Sequence, residues 1–575
     1  MHASSRLLRP LAYATVAIAT GGMALYTLSQ NDDDLRSRFH KPVINKSGKV
    51  VPPTFPRVKS RREQKSSSSD DSIYDLLIIG GGATGTGIAL DTVTRGLKVT
   101  LIERDDFSSG TSSKSTKLIH GGQFKLVQEA LRERKHFSNV APHLASWLPV
   151  MLPLQSWLKA PYFWTGTKYY DLLAGSKGFR GSYFLTKAAA LEAFPLQKND
   201  ELVGAPVYYD GQHNDSRMNI SLAMTASLYG ATIVNHVEAT ELPKDSNGKI
   251  CGAWVRDVLP NISAYNETSD EFDKPKDGGI VVPSTGVHIV LPAYFSSKIM
   301  GLINPSTSDG HNDVDWILNE IRGYLAPGVS LQRSDVLTAW SGIRPLVQDP
   351  KAANTTSLVR NHLVTVSESG LLTCAGGKWT TYRQMAEDTV DKAIEVFQLQ
   401  HGESNIEFVT HGFHDTLAIN LIQHYSLDED IASHFVRSYV DRAWEVANLT
   451  SKVGRLVPDH YFVDREIIYA MKSEAAETAV DVLARRMKLA FIDVQSVLQL
   501  LPRVIDMMGE ELKWDQRRLK SEWTDSVEFL KSMGLPQNKF GISREEKAKG
   551  SPKVESRHRD FRRHMSPDYG YYFTR

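Results

Sequence analysis

An α/β fold with a parallel sheet at its centre is predicted by three observations. There is a short apolar run at Leu76-Leu77-Ile78-Ile79, a glycine turn directly after it, and a second apolar strand that ends on Glu103. A strand buried on both faces reads as continuously apolar rather than alternating. The first run enters Gly80-Gly81-Gly82-Ala83-Thr84-Gly85, a GxGxxG sequence in the strand-to-helix position. There Gly80 permits the tight turn, Gly82 lets backbone approach a pyrophosphate, and Gly85 lets the following helix pack close to the strand. The helix N-terminus then holds the anion. Ile88 to Arg95 continue the helix, Gly96 turns the chain, and Lys98 to Ile102 form the next strand. Glu103 stands at its end, where a carboxylate accepts hydrogen bonds from a ribose diol. Taken alone, GxGxxG would suit an ordinary glycine turn equally well; the flanking strands make it a dinucleotide site.

The next segment, Ser108 to Gly122, is crowded with hydroxyls and small residues. Such a loop can donate to the phosphates and ribityl chain of a flavin while its glycines let backbone lie against the ring system; a surface loop has the same composition. Three pieces together, Asp75 to Gly85, Glu103-Arg104-Asp105-Asp106-Phe107 and Ser115-Thr116-Lys117-Leu118-Ile119-His120-Gly121-Gly122, resemble the FAD-dependent glycerol-3-phosphate dehydrogenases, the mitochondrial form above all. Ser284 to Pro292, Trp340 to Leu346 and Ala375 to Arg383 are similar to three further motifs of that family, in the expected order. The resemblance spans about Asp75 to Asp388, with a helical tail beyond.

That resemblance implies an FAD-binding Rossmann-like domain of the glutathione-reductase/amino-acid-oxidase type, an interleaved antiparallel-sheet substrate domain and a C-terminal all-helical cap. The expected divisions are a presequence or hydrophobic segment over 1–30, a disordered linker over 31–72, the oxidoreductase domain over 73–395, the helical domain over 405–535 and a basic flexible tail over 536–575. FAD is expected to meet Gly80, Gly82, Gly85, Glu103, Ser112, Ser113, Thr116, Lys117, Gly121, Gly122, Gly377 and Thr380, with Val237 offering backbone groups from a strand over Ile233 to Glu238 that passes the adenine. The reaction implied is oxidation of glycerol 3-phosphate to dihydroxyacetone phosphate, with electrons passed to a membrane quinone.

For that chemistry an alcohol loses a hydride to the flavin and a proton to a base, while a phosphate dianion is anchored at the other end. The anchor calls for guanidinium and ammonium groups. Arg344 and Lys378 match the family's substrate-contacting positions, each beside a glycine turn, although a lone basic residue is more often a solvated charge. His288 is the candidate general base, since imidazole titrates near neutral pH. A satisfied core histidine on an apolar strand would look the same. Asp215, following Tyr208-Tyr209-Asp210-Gly211-Gln212, suits helix capping as well as catalysis.

Composition sets the outer bounds. At 575 residues, 41% hydrophobic and 23% charged, the chain can bury two or three ordinary cores. A net charge of +1 leaves no footprint for nucleic acid. Cys251 and Cys374 are too few for a disulfide framework or a four-cysteine metal site, and no twelve-residue calcium loop is present, so no metal is expected. Met1 to Pro10 carries Arg6 and Arg9, no acid precedes Asp32, and Leu11 to Leu28 is mostly apolar and marginally long enough to span a bilayer. Mitochondrial targeting with retention at the inner membrane, facing the intermembrane space, is the reading the resemblance favours; a secretory signal is the competing one. The resemblance leaves the oligomeric state open, a homo-oligomer included. In Phe408 to Met533 helical periodicity dominates, and the charges of Ala475 to Arg486 read as a solvated face.

The chain also departs from the family at three places. Gly122 runs directly into Gln123-Phe124-Lys125 where relatives continue Arg-Tyr-Leu, with an arginine that helps hold the phosphate. Between Val255 and Pro283 the strand end that closes over the flavin pyrophosphate is missing, and after Gly310 the chain enters the helix Trp316 to Leu325 where relatives have two core strands. A catalytically impaired or inactive relative, or another FAD-dependent oxidase of the same fold, are therefore the alternatives.

Overall fold

The computed structural model describes residues 55–68, 73–119, 139–174, 181–200, 202–259, 281–297, 299–302, 314–348, 362–402, 416–449 and 460–549, with shorter pieces besides. The expectations for residues 1–30, for Gly121 and Gly122, and for the departure after Gly122 fall outside the described residues, as does most of the stretch between Val255 and Pro283; of the departure after Gly310, the expected helix Trp316 to Leu325 is described and forms over Val314–Tyr324. Two compact units result, one of residues 1–55 with 410–448 and one of 56–409 with 449–575. In the smaller, the helices Thr416–Tyr425, Glu429–Tyr439 and Ala443–Asn448 bury Leu421, Ile431, Phe435 and Trp444. The expected helical cap over 405–535 is thus divided, and its part from 449 onward belongs to the larger unit.

In chain order the larger unit contains α1 (Arg61–Ser68), β1 (Leu76–Ile79), α2 (Ala83–Thr94), β2 (Val99–Ile102), β3 (Ala145–Met151), α3 (Ala160–Ala174), β4 (Gly204–His213) and α4 (Asp215–Leu228). It continues through β5 (Thr232–Val234), β6 (Val281–Val290), β7 (Thr338–Gln348), α5 (Tyr382–Phe397) and α6 (Val494–Leu512). The strands β1, β2 and β5 form a parallel sheet in that order, with Leu77 opposite Thr100 and Thr100 opposite Thr232. Helix α2 is buried along most of its length, and its Ala89 and Leu90 pack in one cluster with Leu101, Ile220 and Ala223. Its small residues allow that close approach. The second layer is antiparallel: β3 pairs β4, and β6 pairs β7 through ten residue pairs that set His288 opposite Trp340. The C-terminal strand Tyr572–Thr574 pairs with β6 at His288 to Val290, so part of the segment expected to be a flexible tail is extended structure.

Three other expectations are corrected. The stretch read as a linker over 31–72 is folded at its end, where α1 docks without an apolar face. Arg61 donates to the carbonyls of Asn235 (2.9 Å) and His236 (3.3 Å) and to Asp257 (2.9 Å), and Gln64 both accepts from the Ile233 N–H (3.1 Å) and donates to Ser227. The strand expected over Ile233 to Glu238 is broken at His236, whose φ of 54° ends β5 and starts a separate two-stranded ribbon at Val237.

The charges of Ala475 to Arg486 are not a solvated face. Asp481, Arg485 and Arg486 are all buried in a π-helical turn: Asp481 and Arg486 find partners in the α/β layer, and the Arg485 guanidinium lies over the Phe529 ring. Arg486 pairs with Asp106, His236 Nε2 donates to the Asp481 carboxylate (2.8 Å), and Arg217 reaches Glu474 through two 2.8 Å bonds. Burial opposes a charge on His236, but Asp481 and Asp106 beside it raise its pKa overall. The nearest oxygens and nitrogen of Asp106, His236 and Asp481 lie within 4.8 Å of one another, yet the Arg486 guanidinium already supplies the positive charge that such a group would ask of a cation. Taking one partner from a buried pair leaves an uncompensated charge, which costs about 3–5 kcal/mol. Arg486→Met is therefore expected to lower unfolding stability by about that amount in urea titration, and a change under 1 kcal/mol would show that the pair does not hold the segment.

Candidate active site

The glycine turn is built as its sequence requires. Gly80 has φ of 110°, and a Cβ on Gly85 would lie 1.9 Å from the Gly80 carbonyl oxygen, so the helix starts against the strand only because position 85 has no side chain. Gly82 is the N-cap of α2, and a Cβ there would sit 3.0 Å from the Ser112 hydroxyl. That hydroxyl accepts from the Ala83 N–H at 2.9 Å, fixing the loop over the helix N-terminus. Glu103 accepts from the N–H of Gly81 (2.6 Å) and of Asp105 (2.9 Å), and burial pushes its carboxyl above the usual range against those two bonds. Asn219 braces the turn from behind, donating to the Gly81 carbonyl at 2.7 Å.

Above the turn opens a cavity of about 1460 Å³. Small-ligand pockets run to about 1,000 Å³, so this one has room for a cofactor and a substrate together. Ala83, Ser112 and Thr116 line one side, and Gly377, Lys378 and Thr380 another. His288 and Arg344 come from β6 and β7. The sequence thus placed both cations, the histidine and four of the cofactor residues on one wall system. Glycine again shapes that wall: a Cβ on Gly342 would meet the Lys114 carbonyl at 2.5 Å, and Gly377 has φ of 76°.

Three expected cofactor residues lie behind the wall instead. Ser113 is buried with its carbonyl accepting from Lys117 Nζ at 2.6 Å. Lys117 is 1% exposed, and its ammonium pairs with Asp215 at 2.5 Å. Val237 is buried and donates its N–H to the Glu103 carbonyl at 2.8 Å. Asp215 is not the helix cap either, since Asn214 takes that place by accepting from the Arg217 N–H. Fully buried, Asp215 accepts from Ser115 Oγ (2.7 Å) and pairs with both Lys117 and Lys488 (2.7 Å). Burial opposes its ionisation, but the two ammonium groups hold it well below the usual carboxylate range. Burial pushes Lys117 down to about 7 even with Asp215 beside it. No local signal could have pointed to Lys488, which lies 273 positions along the chain from Asp215.

His288 is 3% exposed, stacks on Trp340 at 5.3 Å between ring centroids, and has no hydrogen-bond partner at Nδ1 among the described residues. Burial first, then the nearby charges of Lys117 and Arg344, push its pKa down to about 3. The ring is therefore neutral near pH 7 and lines the cavity.

Comparison with known proteins agrees with this geometry. The family model for FAD dependent oxidoreductases matches residues 75–383, and that for the C-terminal domain of alpha-glycerophosphate oxidase matches 407–519. The mitochondrial glycerol-3-phosphate dehydrogenase of Mus musculus is 43% identical over 590 residues, covering 89% of this chain and 81% of that protein. The corresponding protein of Arabidopsis thaliana is 37% identical, covering 91% and 96%. Among solved structures, the glycerol-3-phosphate dehydrogenase from Bacillus halodurans complexed with FAD has a TM-score of 0.63 at 23% identity, covering 84% of this chain and 99% of that one, a likeness of fold. The 590 aligned positions exceed the 89% of 575 residues that this chain contributes, so several dozen positions of the mouse protein have no counterpart here.

Gly82→Val places a branched side chain where the pyrophosphate would lie and is expected to abolish flavin retention, read as loss of yellow colour from the purified chain. Glu103→Ala should weaken flavin binding more mildly, by about 1–3 kcal/mol for one lost charged acceptor. Full colour in Gly82→Val would place the cofactor elsewhere.

Proposed function

The chain belongs to the mitochondrial FAD-dependent glycerol-3-phosphate dehydrogenase family, and on that premise we propose that it oxidises glycerol 3-phosphate to dihydroxyacetone phosphate and passes the electrons to a membrane quinone. One observation carries the reading: a single cavity joins a dinucleotide turn to Arg344, Lys378 and His288. The residues fit the cofactor, since Gly82 leaves backbone open to a pyrophosphate at the helix N-terminus, Gly85 lets that helix start against the strand, and Glu103 stands at the ribose end. FAD supplies the hydride acceptor when bound. Arg344 and Lys378 anchor the phosphate, and charge-assisted bonds of this kind contribute about 1.5–3 kcal/mol each. His288 is the acceptor for the hydroxyl proton. Its pKa near 3 makes the uncomplexed ring a weak base, and a bound phosphate dianion beside Arg344 offsets one of the charges that depress it.

The acceptor and the membrane site find support in α3. Next to the cavity-lining Tyr162 and Tyr169 on this helix, Trp157 is 63%, Leu158 91% and Leu172 74% exposed. Aromatic and aliphatic side chains presented together to solvent are what a protein offers to a lipid interface. Among the described residues no helix is long and apolar enough to cross a membrane. With its relatives named mitochondrial, the chain is placed by this reading at the mitochondrial inner membrane, facing the intermembrane space.

A second reading concerns rate. The positions of the mouse relative that have no counterpart here, together with the direct run from Gly122 into Gln123, favour a chain whose turnover is impaired.

Three outcomes follow. Dye-linked glycerol 3-phosphate oxidation by the purified chain should run well below that of a full-length relative assayed alongside, and restoring Arg-Tyr-Leu after Gly122 alone should not rescue it; parity with the relative would remove the impaired reading. Because a histidine with pKa near 3 is already deprotonated above pH 5, kcat/KM of whatever activity is present should show no acid limb from His288 between pH 5 and 7. An acid limb near pH 6.5 that disappears in His288→Asn would contradict its placement. Leu158→Glu with Leu172→Glu should cut flotation with cardiolipin-containing vesicles and quinone reduction while sparing dye reduction, and unchanged flotation would move the membrane face elsewhere.

A further inference from the structure

Helix α1, which lies ahead of the dinucleotide turn in the chain, is joined to the nucleotide end of the site through backbone. Arg61, Gln64 and Lys65 are spaced i, i+3 and i+4 and so share one face of that helix. Arg61 and Gln64 are both buried. The Arg61 guanidinium donates to the carbonyls of Asn235 and His236 and, together with Lys65 (2.5 Å), to the Asp257 carboxylate. Gln64 accepts from the Ile233 N–H on β5, the edge strand of the parallel sheet. These contacts bracket the bend at His236, whose φ is 54°. A non-glycine residue keeps such a conformation only where its surroundings fix it.

The same bend carries Glu103. The Glu103 N–H donates to the Val234 carbonyl at 2.9 Å and the Glu103 carbonyl accepts from the Val237 N–H at 2.8 Å, so its backbone is held on both sides of the break. Two further bonds fix the residues that follow it, from the His236 N–H to the Asp105 carbonyl (2.7 Å) and from Asn235 Nδ2 to Asp106 Oδ1 (2.9 Å). Arg61 and the Glu103 segment thus bond the same short stretch, Val234 to Val237. A carboxylate that has to meet a ribose diol tolerates little displacement, because hydrogen bonds weaken steeply with distance and angle.

Resting on the reading of Glu103 as the ribose acceptor, we propose that Arg61 and Gln64 are positioning residues for the cofactor. By fixing the bend at His236 they hold Glu103 where it meets the ribose, and docking of the N-terminal segment thereby sets how tightly FAD is retained. Neither residue lines the cavity, so the role is one of placement.

The test is the rate at which the purified flavin-loaded chain releases FAD on dilution, read from flavin fluorescence. The variants are Arg61→Met, Gln64→Ala, Glu103→Ala, and each of the first two combined with Glu103→Ala. Arg61→Met and Gln64→Ala should each speed release by about fivefold or more. Added to Glu103→Ala they should accelerate release no further, within about twofold, because the acceptor they position is already gone. A general loosening of the fold would instead multiply with the effect of Glu103→Ala. Gln64→Ala removes no charge, and it carries the test alone if Arg61→Met gives no folded protein. Unchanged release in the single variants of α1, or effects that multiply with Glu103→Ala, would overturn the positioning role and leave the reading of Glu103 standing. A colourless original chain, or release from Glu103→Ala at the original rate, would overturn that reading and this proposal with it.

Discussion

Asp215 is the charge on which the site's scaffold rests. A carboxylate with no solvent exposure survives in a protein interior only when cations and donors surround it, and here Lys117, Lys488 and Ser115 do so. These partners come from two distant parts of the chain. Ser115 and Lys117 bring the hydroxyl-rich loop down onto the first turn of α4, and Lys488 brings in the segment that follows the π-helical turn. With the loop fixed, Ser112 reaches the helix N-terminus and Trp379 donates to the Ser112 carbonyl at 2.8 Å, tying the two walls of the cavity together.

The same logic holds one layer further out. Arg486 with Asp106 and Arg217 with Glu474 repeat the pattern of a buried charge on the helical segment meeting one in the α/β layer. Such pairs are a poor source of net stability compared with apolar packing, but breaking one is expensive. They act as registration pins, setting where the helical segment lies on the nucleotide-binding layer. Apolar packing supplies the adhesion, through a cluster in which Trp340 and Val290 meet Phe491, Leu498 and Val504. Trp340 is also the residue on which His288 stacks, so the helical segment backs the part of the cavity wall that His288 lines.

What was legible in the sequence was local. The turn from Gly80 to Gly85 and the acid at Glu103 depend on neighbours within about one βαβ unit, and spacing alone fixes their geometry. His288, Arg344 and Lys378 could be read only through family resemblance, since no spacing links residues on β6, on β7 and beside Gly377. The errors were long-range. Lys117 was read through the resemblance as a cofactor residue, yet its ammonium is taken up by Asp215, 98 positions away. Arg485 and Arg486 looked solvated because two adjacent arginines usually are. The α1 segment Arg61-Arg62-Glu63-Gln64 looked disordered because it has no apolar face; it docks through hydrogen bonds to backbone at the open edge of β5, which no hydrophobic pattern reveals.

The account's central claim is that one cavity holds a flavin and presents it to glycerol 3-phosphate. An anaerobic visible-absorption spectrum of the purified 575-residue chain, recorded before and after adding glycerol 3-phosphate, tests it directly. The account predicts an oxidised-flavin spectrum that bleaches on addition, slowly if turnover is impaired, and does not bleach with inorganic phosphate. A colourless protein, or a flavin spectrum that glycerol 3-phosphate leaves unchanged after prolonged incubation, would contradict it.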